Sequence, residues 1–189
     1  MIKIGILGDI GSGKSFVAKE FGYPVFNADY EVSKLYQKDK KIFKKLKKIL
    51  PKYIDVFPIN KNQITDSILS NKSNLKKIVK IVHSEVRKRM WLFIKKNKNK
   101  KVLVFDIPLL LENKISDKSF VLVFVDSKKS DILKRLKNRP NYNKKLLEKF
   151  KKIQFSLEYK KRKSQFVIKN KFSKKSVKTS VNSILKKIL

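Results

Sequence analysis

Cysteine is absent from this 189-residue chain, and histidine occurs once. Without thiols there are no disulfides and no zinc site of the usual thiolate kind. Long apolar runs are also missing. The stretch FVLVFV (120–125) is only strand-sized, far from the about 20 residues that a membrane span needs. The N-terminus reads as a strand and lacks a signal-peptide core with a small-residue cleavage site, so the expectation is a cytoplasmic protein that does not enter a membrane. Acidic residues are scarce, 15 against 49 basic ones, for a net charge of +34. Such an excess suits a polyanion partner. Yet 44 of the basic residues are lysines spread along nearly the whole length, and only five are arginines. That distribution reads as a lysine-rich solvated surface rather than one basic face, and no specific nucleic-acid partner is expected. The 41% hydrophobic content is that of a globular chain long enough to bury a core, and a monomer of one domain is expected.

Glycine is the informative scarcity. There are five, all within the first 22 residues, and three of them lie in GDIGSGKS, Gly8 to Ser15. This matches G-x-x-x-x-G-K-[ST], the phosphate-binding loop, with KIGIL (3–7) reading as a strand before it and a helical pattern from Lys14 to about Phe21 after it. Glycines let backbone N–H groups approach phosphate oxygens with no Cβ in the way, and the helix start adds its positive dipole end. Gly8, Gly11, Ser12, Gly13, Lys14, Ser15 and Phe16 are therefore the candidate nucleotide-binding residues. Lys14 would reach the β- and γ-phosphates and the Ser15 hydroxyl would bind Mg²⁺. The expected ligands are ATP and Mg²⁺.

The remaining pattern alternates strands and helices. YPVFNAD (23–29) reads as a short buried strand and 30–53 as helical and basic. Short and long helices follow at 62–70 and 74–96; the second has Leu75, Ile78, Val79, Val82, Val86, Met90 and Ile94 on one stripe. KVLVFDIP (101–108) and FVLVFVD (120–126) are near-continuously apolar, as in strands covered on both faces of a parallel sheet. Helices are expected at 130–139, 144–161 and 174–188, with a strand at 165–168 and a break at NRPNYN (138–143). The fold class is α/β, with a parallel sheet and helices inserted between its second and third strands.

In such a fold the carboxyl edge of the sheet is the functional edge. Asp29 follows the second strand and would lie near the γ-phosphate, though a helix N-cap is an alternative role. Asp106 ends the third strand, where P-loop proteins usually place a metal-holding carboxylate; a strand-end turn is the alternative. Arg135 and Arg139 lie one helical turn apart before the proline-containing break. A planar guanidinium can fork onto phosphate or stack on adenine, and a plain surface position is the alternative. His83, on the inner side of the long helix, is either structural or functional.

Together these residues resemble the dephospho-coenzyme A kinase family over nearly the whole chain. The family loop G-G-I-G-S-G-K-S-T stands here as GDIGSGKSF (8–16), and D-A-D as Asn27-Ala28-Asp29. V-H-P-x-V/I-R resembles Val82 to Arg87, and x-D/E-x-P-L-L-x-E matches FDIPLLLEN (105–113). D-R-x-x-L looks like Asn60 to Ile64, R-x-x-x-R is Arg135 to Arg139, and the later Q…K…V-I run resembles Gln154, Lys160 and Val167-Ile168. Departures are Phe16 for Thr, Asn27 for Asp, Ser84 for Pro, Ser33 for Arg or His, and Gln165 for an acid. The resemblance implies a three-layer P-loop NTPase fold as one domain over 1–189. Its parts would be a core (about 1–29, 101–135 and 165–189), a helical substrate lobe (about 30–100) and a lid (about 136–164). It implies phosphoryl transfer from ATP to the ribose 3′-hydroxyl of dephospho-CoA, the last step of coenzyme A synthesis. Asp29, Lys14 and Arg135 would serve catalysis and Arg139 the nucleotide. Asp29, His83, Arg87 and Asp106 would serve the small-molecule substrate, and Ser15 with Asp106 the metal.

Two other classes fit the loop alone. Shikimate-kinase-like and nucleoside-monophosphate-kinase-like enzymes share it, but shikimate kinases use a glycine-rich turn after the third strand, and no glycine follows Gly22. Adenylate kinases usually carry a proline in the loop. A nucleic-acid-binding P-loop ATPase is the reading that the net charge suggests.

Overall fold

In a computed structural model the structure describes residues 1–140 and 142–189; Asn141, inside the expected NRPNYN break, lies outside the described residues. The chain divides into two compact units. The first comprises 1–27, 97–142 and 151–189, and the second 28–96 and 143–150.

The first unit is built on a five-stranded parallel sheet of β1 (Ile2–Gly8), β2 (Val25–Asn27), β3 (Val102–Asp106), β4 (Phe120–Asp126) and β5 (Phe166–Lys169). The spatial order is β2-β3-β1-β4-β5, with every neighbouring pair parallel. Alternate residues of the central strands serve two apolar layers, because side chains in a strand point to opposite faces. Ile4, Ile6, Val102, Val104, Val123 and Val125 pack with Val17, Ala18 and Phe21 around α1 (Lys14–Glu20) and with Val177, Val181 and Ile184 of α9 (Lys174–Ile188). Leu7, Leu103, Phe105, Leu122 and Phe124, in the alternate registers, are buried as well. Phe105 and Phe120 meet there with ring centroids 5.2 Å apart. Helices α6 (Lys129–Lys137) and α8 (Leu157–Lys163) complete the unit.

The second unit is helical: α2 (Ala28–Lys38), α3 (Lys40–Ile49), α4 (Lys61–Ser70), α5 (Lys72–Lys96) and most of α7 (Lys144–Lys152). On α5 the stripe residues Leu75, Ile78, Val82, Val86 and Met90 are buried. The start of α4, in the stretch likened to D-R-x-x-L, is a capping box. The Asn60 side chain accepts from the N–H of Asn62, and Gln63 accepts from the N–H of Asn60.

Two helices expected to be continuous are each broken in two. The 30–53 segment splits at Asp39, whose extended backbone leaves its carboxylate to cap α3 by accepting from the N–H groups of Lys41 and Ile42, both at 3.0 Å. The 144–161 segment splits before Ser156, whose hydroxyl caps α8 by accepting from the Tyr159 N–H. In both cases a short polar side chain competes with the continuing helix for backbone donors.

Candidate active site

The glycines of residues 8–15 shape the turn at the end of β1. Gly11 and Gly13 both hold φ of 89°, in the left-handed region. A Cβ on Gly11 would meet Leu136 and Ile132 of α6 at 3.0 and 3.1 Å; one on Gly13 would come within 2.4 Å of the Asn170 amide. Both conformation and space therefore require glycine. The loop is also tied from behind. The Ser12 carbonyl accepts from the Ser127 hydroxyl at 2.9 Å and from the Asn170 amide at 2.8 Å, so it is engaged by protein donors on two sides. Ser12 is fully buried, and its own hydroxyl finds no partner among the described residues. Lys14 folds back across the turn and donates to the carbonyls of Asp9 (2.7 Å) and Gly8 (3.3 Å). Those carbonyls hold its ammonium over the loop. Asp9 accepts from the Ile10 N–H and faces Lys151 at 3.6 Å, which offsets a carboxylate beside the anion-binding turn. Phe16, directly after Ser15, is partly buried and packs against the core.

A nearly buried carboxylate stands at the end of β3. Asp106 is almost fully buried, and its Oδ2 accepts from the Ser15 hydroxyl at 2.5 Å and from the Asn27 amide at 2.6 Å. The structure thus brings the loop, Lys14, Ser15 and Asp106 together within the first unit. Arg135, on the last turn of α6, rests its guanidinium 4.2 Å from the centre of the Phe172 ring, and Arg139 lies exposed just beyond that helix. Asp29, His83 and Arg87 belong to the second unit. Asp29 stands in the first turn of α2, two residues after Asn27 in the chain, with an exposed side chain. His83 and Arg87 are four residues apart on α5, the histidine half-buried and the arginine exposed.

The sequence reading missed Ser127, Asn170 and Phe172. Ser127 and Asn170 directly follow β4 and β5 at the carboxyl edge of the sheet, a signal shared with every strand end, and Phe172, two residues beyond Asn170, carried none. Gln154 and Lys160, noted only as part of a pattern, form a buried group with Glu112. The Lys160 ammonium donates to Gln154 at 2.9 Å and pairs with Glu112 at 2.8 Å, and Glu112 also accepts from the Phe155 N–H.

A five-stranded parallel sheet that carries a phosphate loop backed by a serine–aspartate pair defines a P-loop kinase. The dephospho-CoA kinase family model matches residues 2–176 of the sequence. The chain belongs to the dephospho-CoA kinase family. Among its relatives, the dephospho-CoA kinase of Wolbachia sp. subsp. Brugia malayi (strain TRS) is 35% identical over 187 residues, covering 96% of this chain and 95% of the relative. That of Wolbachia pipientis wMel is 36% identical over the same shares. Among solved structures the fold is shared with TT1252 from Thermus thermophilus, at TM-score 0.77 and 23% identity over 100% of this chain and 98% of that one. It is also shared with the dephospho-CoA kinase from Campylobacter jejuni, at TM-score 0.63 and 21% identity over 98% and 96%.

Proposed function

We propose that the chain transfers the γ-phosphoryl group of ATP to the ribose 3′-hydroxyl of dephospho-CoA with Asp29 as the base. The observation that carries the reaction is the preformed loop, with Lys14 and the Ser15–Asp106 pair at the sheet edge, in a chain of this family. The hydroxyl oxygen bonds to the γ-phosphorus as the bond to the bridging oxygen breaks, and ADP leaves with that electron pair. The hydroxyl proton passes to Asp29, which aligns the nucleophile and takes the proton late. Asn27 cannot substitute, because an amide is not a base at neutral pH. Lys14 and Arg135 offset charge on the transferred group, Arg139 contacts the nucleotide, and His83 and Arg87 bind dephospho-CoA.

Mg²⁺ fits the donors present. Ser15 and Asp106 supply hard oxygen ligands side by side. The ion, when bound, would neutralise phosphate charge. We assign the enzyme to the cytoplasm as a monomer whose core, helical lobe and lid follow the division implied by the family pattern. Among the described residues no helix is long and apolar enough to cross a membrane.

The test is ATP consumption with dephospho-CoA, shikimate and nucleoside monophosphates as acceptors. Dephospho-CoA alone should support turnover, and Asp29→Asn should lower it by about 10²-fold or more with the melting curve unchanged. Turnover on another acceptor in preference would overturn the assignment. Near-normal turnover of Asp29→Asn would move the base to Asp106.

A further inference from the structure

Phe172 holds a backbone conformation that its own side chain opposes. In the turn between β5 and α9 its φ is 57°, a left-handed value that sterics disfavour for a bulky residue. Asn170 holds it there, accepting from the Phe172 N–H at 2.8 Å while its amide donates to Ser12 in the phosphate loop. Strain of this kind persists where the surroundings over-determine it, and it clusters at functional positions. Here the surroundings are specific. One edge of the ring lies against the loop, where a Cβ on Gly13 would be 3.2 Å from Phe172 Cε1. The ring itself carries the Arg135 guanidinium at 4.2 Å. The same helix that supplies Arg135 seats Ile132 and Leu136 on Gly11. The loop is therefore flanked on one side by α6 and on the other by the Phe172 turn, and the arginine bridges the two.

We propose that Phe172 is a positioning residue for phosphoryl transfer, a platform that holds Arg135 in place beside the phosphate loop. Arg135 is exposed, and among the described residues its partner is this ring rather than a carboxylate. An arginine at a helix end with no such rest would lose many rotamers on meeting the nucleotide, and stacking removes most of that loss beforehand. A cation–π contact suits this task, because it orients the guanidinium plane while leaving its N–H groups free to donate. The proposal rests on the reading of Arg135 as a residue that acts on the transferred group; Phe172 acts through it.

The experiment is a double-mutant cycle on the full chain, with ATP varied at saturating dephospho-CoA. Phe172→Gly suits the left-handed backbone, so the variant keeps the turn while losing the ring. It should lower kcat/KM for ATP by about three- to tenfold, the range for a partly exposed cation–π contact. Phe172→Tyr, which keeps the π face, should match the wild type. In an Arg135→Ala background Phe172→Gly should have no further effect. Additive losses, or wild-type kinetics in Phe172→Gly beside an impaired Arg135→Ala, overturn the platform and leave Arg135 its role. Wild-type kinetics in Arg135→Ala overturn the role of Arg135, and the platform with it.

Discussion

Ser15 and Asp106 are joined by a 2.5 Å hydrogen bond that links the phosphate loop to the end of β3, and the Asn27 amide donates to the same carboxylate oxygen from β2. Three neighbouring elements thus meet on one nearly buried charge held by two neutral donors. Asn27→Asp would set a second carboxylate against it. Like charges at that distance repel, and the two neutral donors would be reduced to one. The melting temperature of the variant without nucleotide should fall by at least about 2 °C relative to wild type at pH 8. Equal melting temperatures at pH 8 would show that water, not Asn27, sets the environment of Asp106.

Glu112 and Lys160 form a buried ion pair in the first unit, with the lysine side chain 1% exposed and the carboxylate 8%. Removing one member leaves the other charge uncompensated. Lys160→Ala should therefore cost about 3–5 kcal/mol in denaturant unfolding. The double change Glu112→Leu with Lys160→Met should recover most of that loss, because both charges leave together. A double variant no better than the single one would mean that Gln154 and Phe155, which also bond to the pair, depend on it for their own placement.

Tyr36 gives the second unit a pH signature of its own. Burial pushes its phenol above the ordinary tyrosine value, because the phenolate would lose its water. The folded form therefore keeps its proton where the unfolded chain has lost it, and this contribution to stability is intact below about pH 10 and falls above it. Tyr36→Phe removes the dependence while keeping the ring. Wild type should lose stability relative to Tyr36→Phe by up to about 1.4 kcal/mol per pH unit above pH 10, read from unfolding at matched pH. The lysines titrate in both proteins and cancel in the difference.

What the sequence made legible follows from how local each signal is. Strands β3 and β4 were plain because burial on both faces makes the run itself apolar, and the loop was plain because glycine occurs almost nowhere else. Helix breaks at Asp39 and Ser156 were missed because one capping side chain hardly disturbs a periodic pattern. Ser127, Asn170 and Phe172 were invisible for another reason. Their work depends on which strands lie beside β1, and a residue in the loop after a strand looks the same at every edge. The family pattern named Lys160, but its burial was hidden by company, since composition does not set one buried lysine apart among 44. Asp29 and His83 were singled out from their places after a strand and on a long helix, and Arg87 only through the resemblance to a family.

The scarcity of glycine has a cost elsewhere in the fold. Lys114, in the turn after β3, holds φ of 50°, a value that glycine adopts freely and lysine does not. Its side chain is exposed, while its backbone closes the turn by donating to the Leu111 carbonyl. Lys114→Gly should therefore stabilise the protein, by about 1 kcal/mol, without touching catalysis. At Phe172 the same exchange relieves the same backbone but takes away a ring that lies against the glycine loop. Two residues of one conformational class thus fall on opposite sides of the trade between robustness and turnover. An engineer seeking a hardier enzyme should begin with Lys114 and leave Phe172 alone.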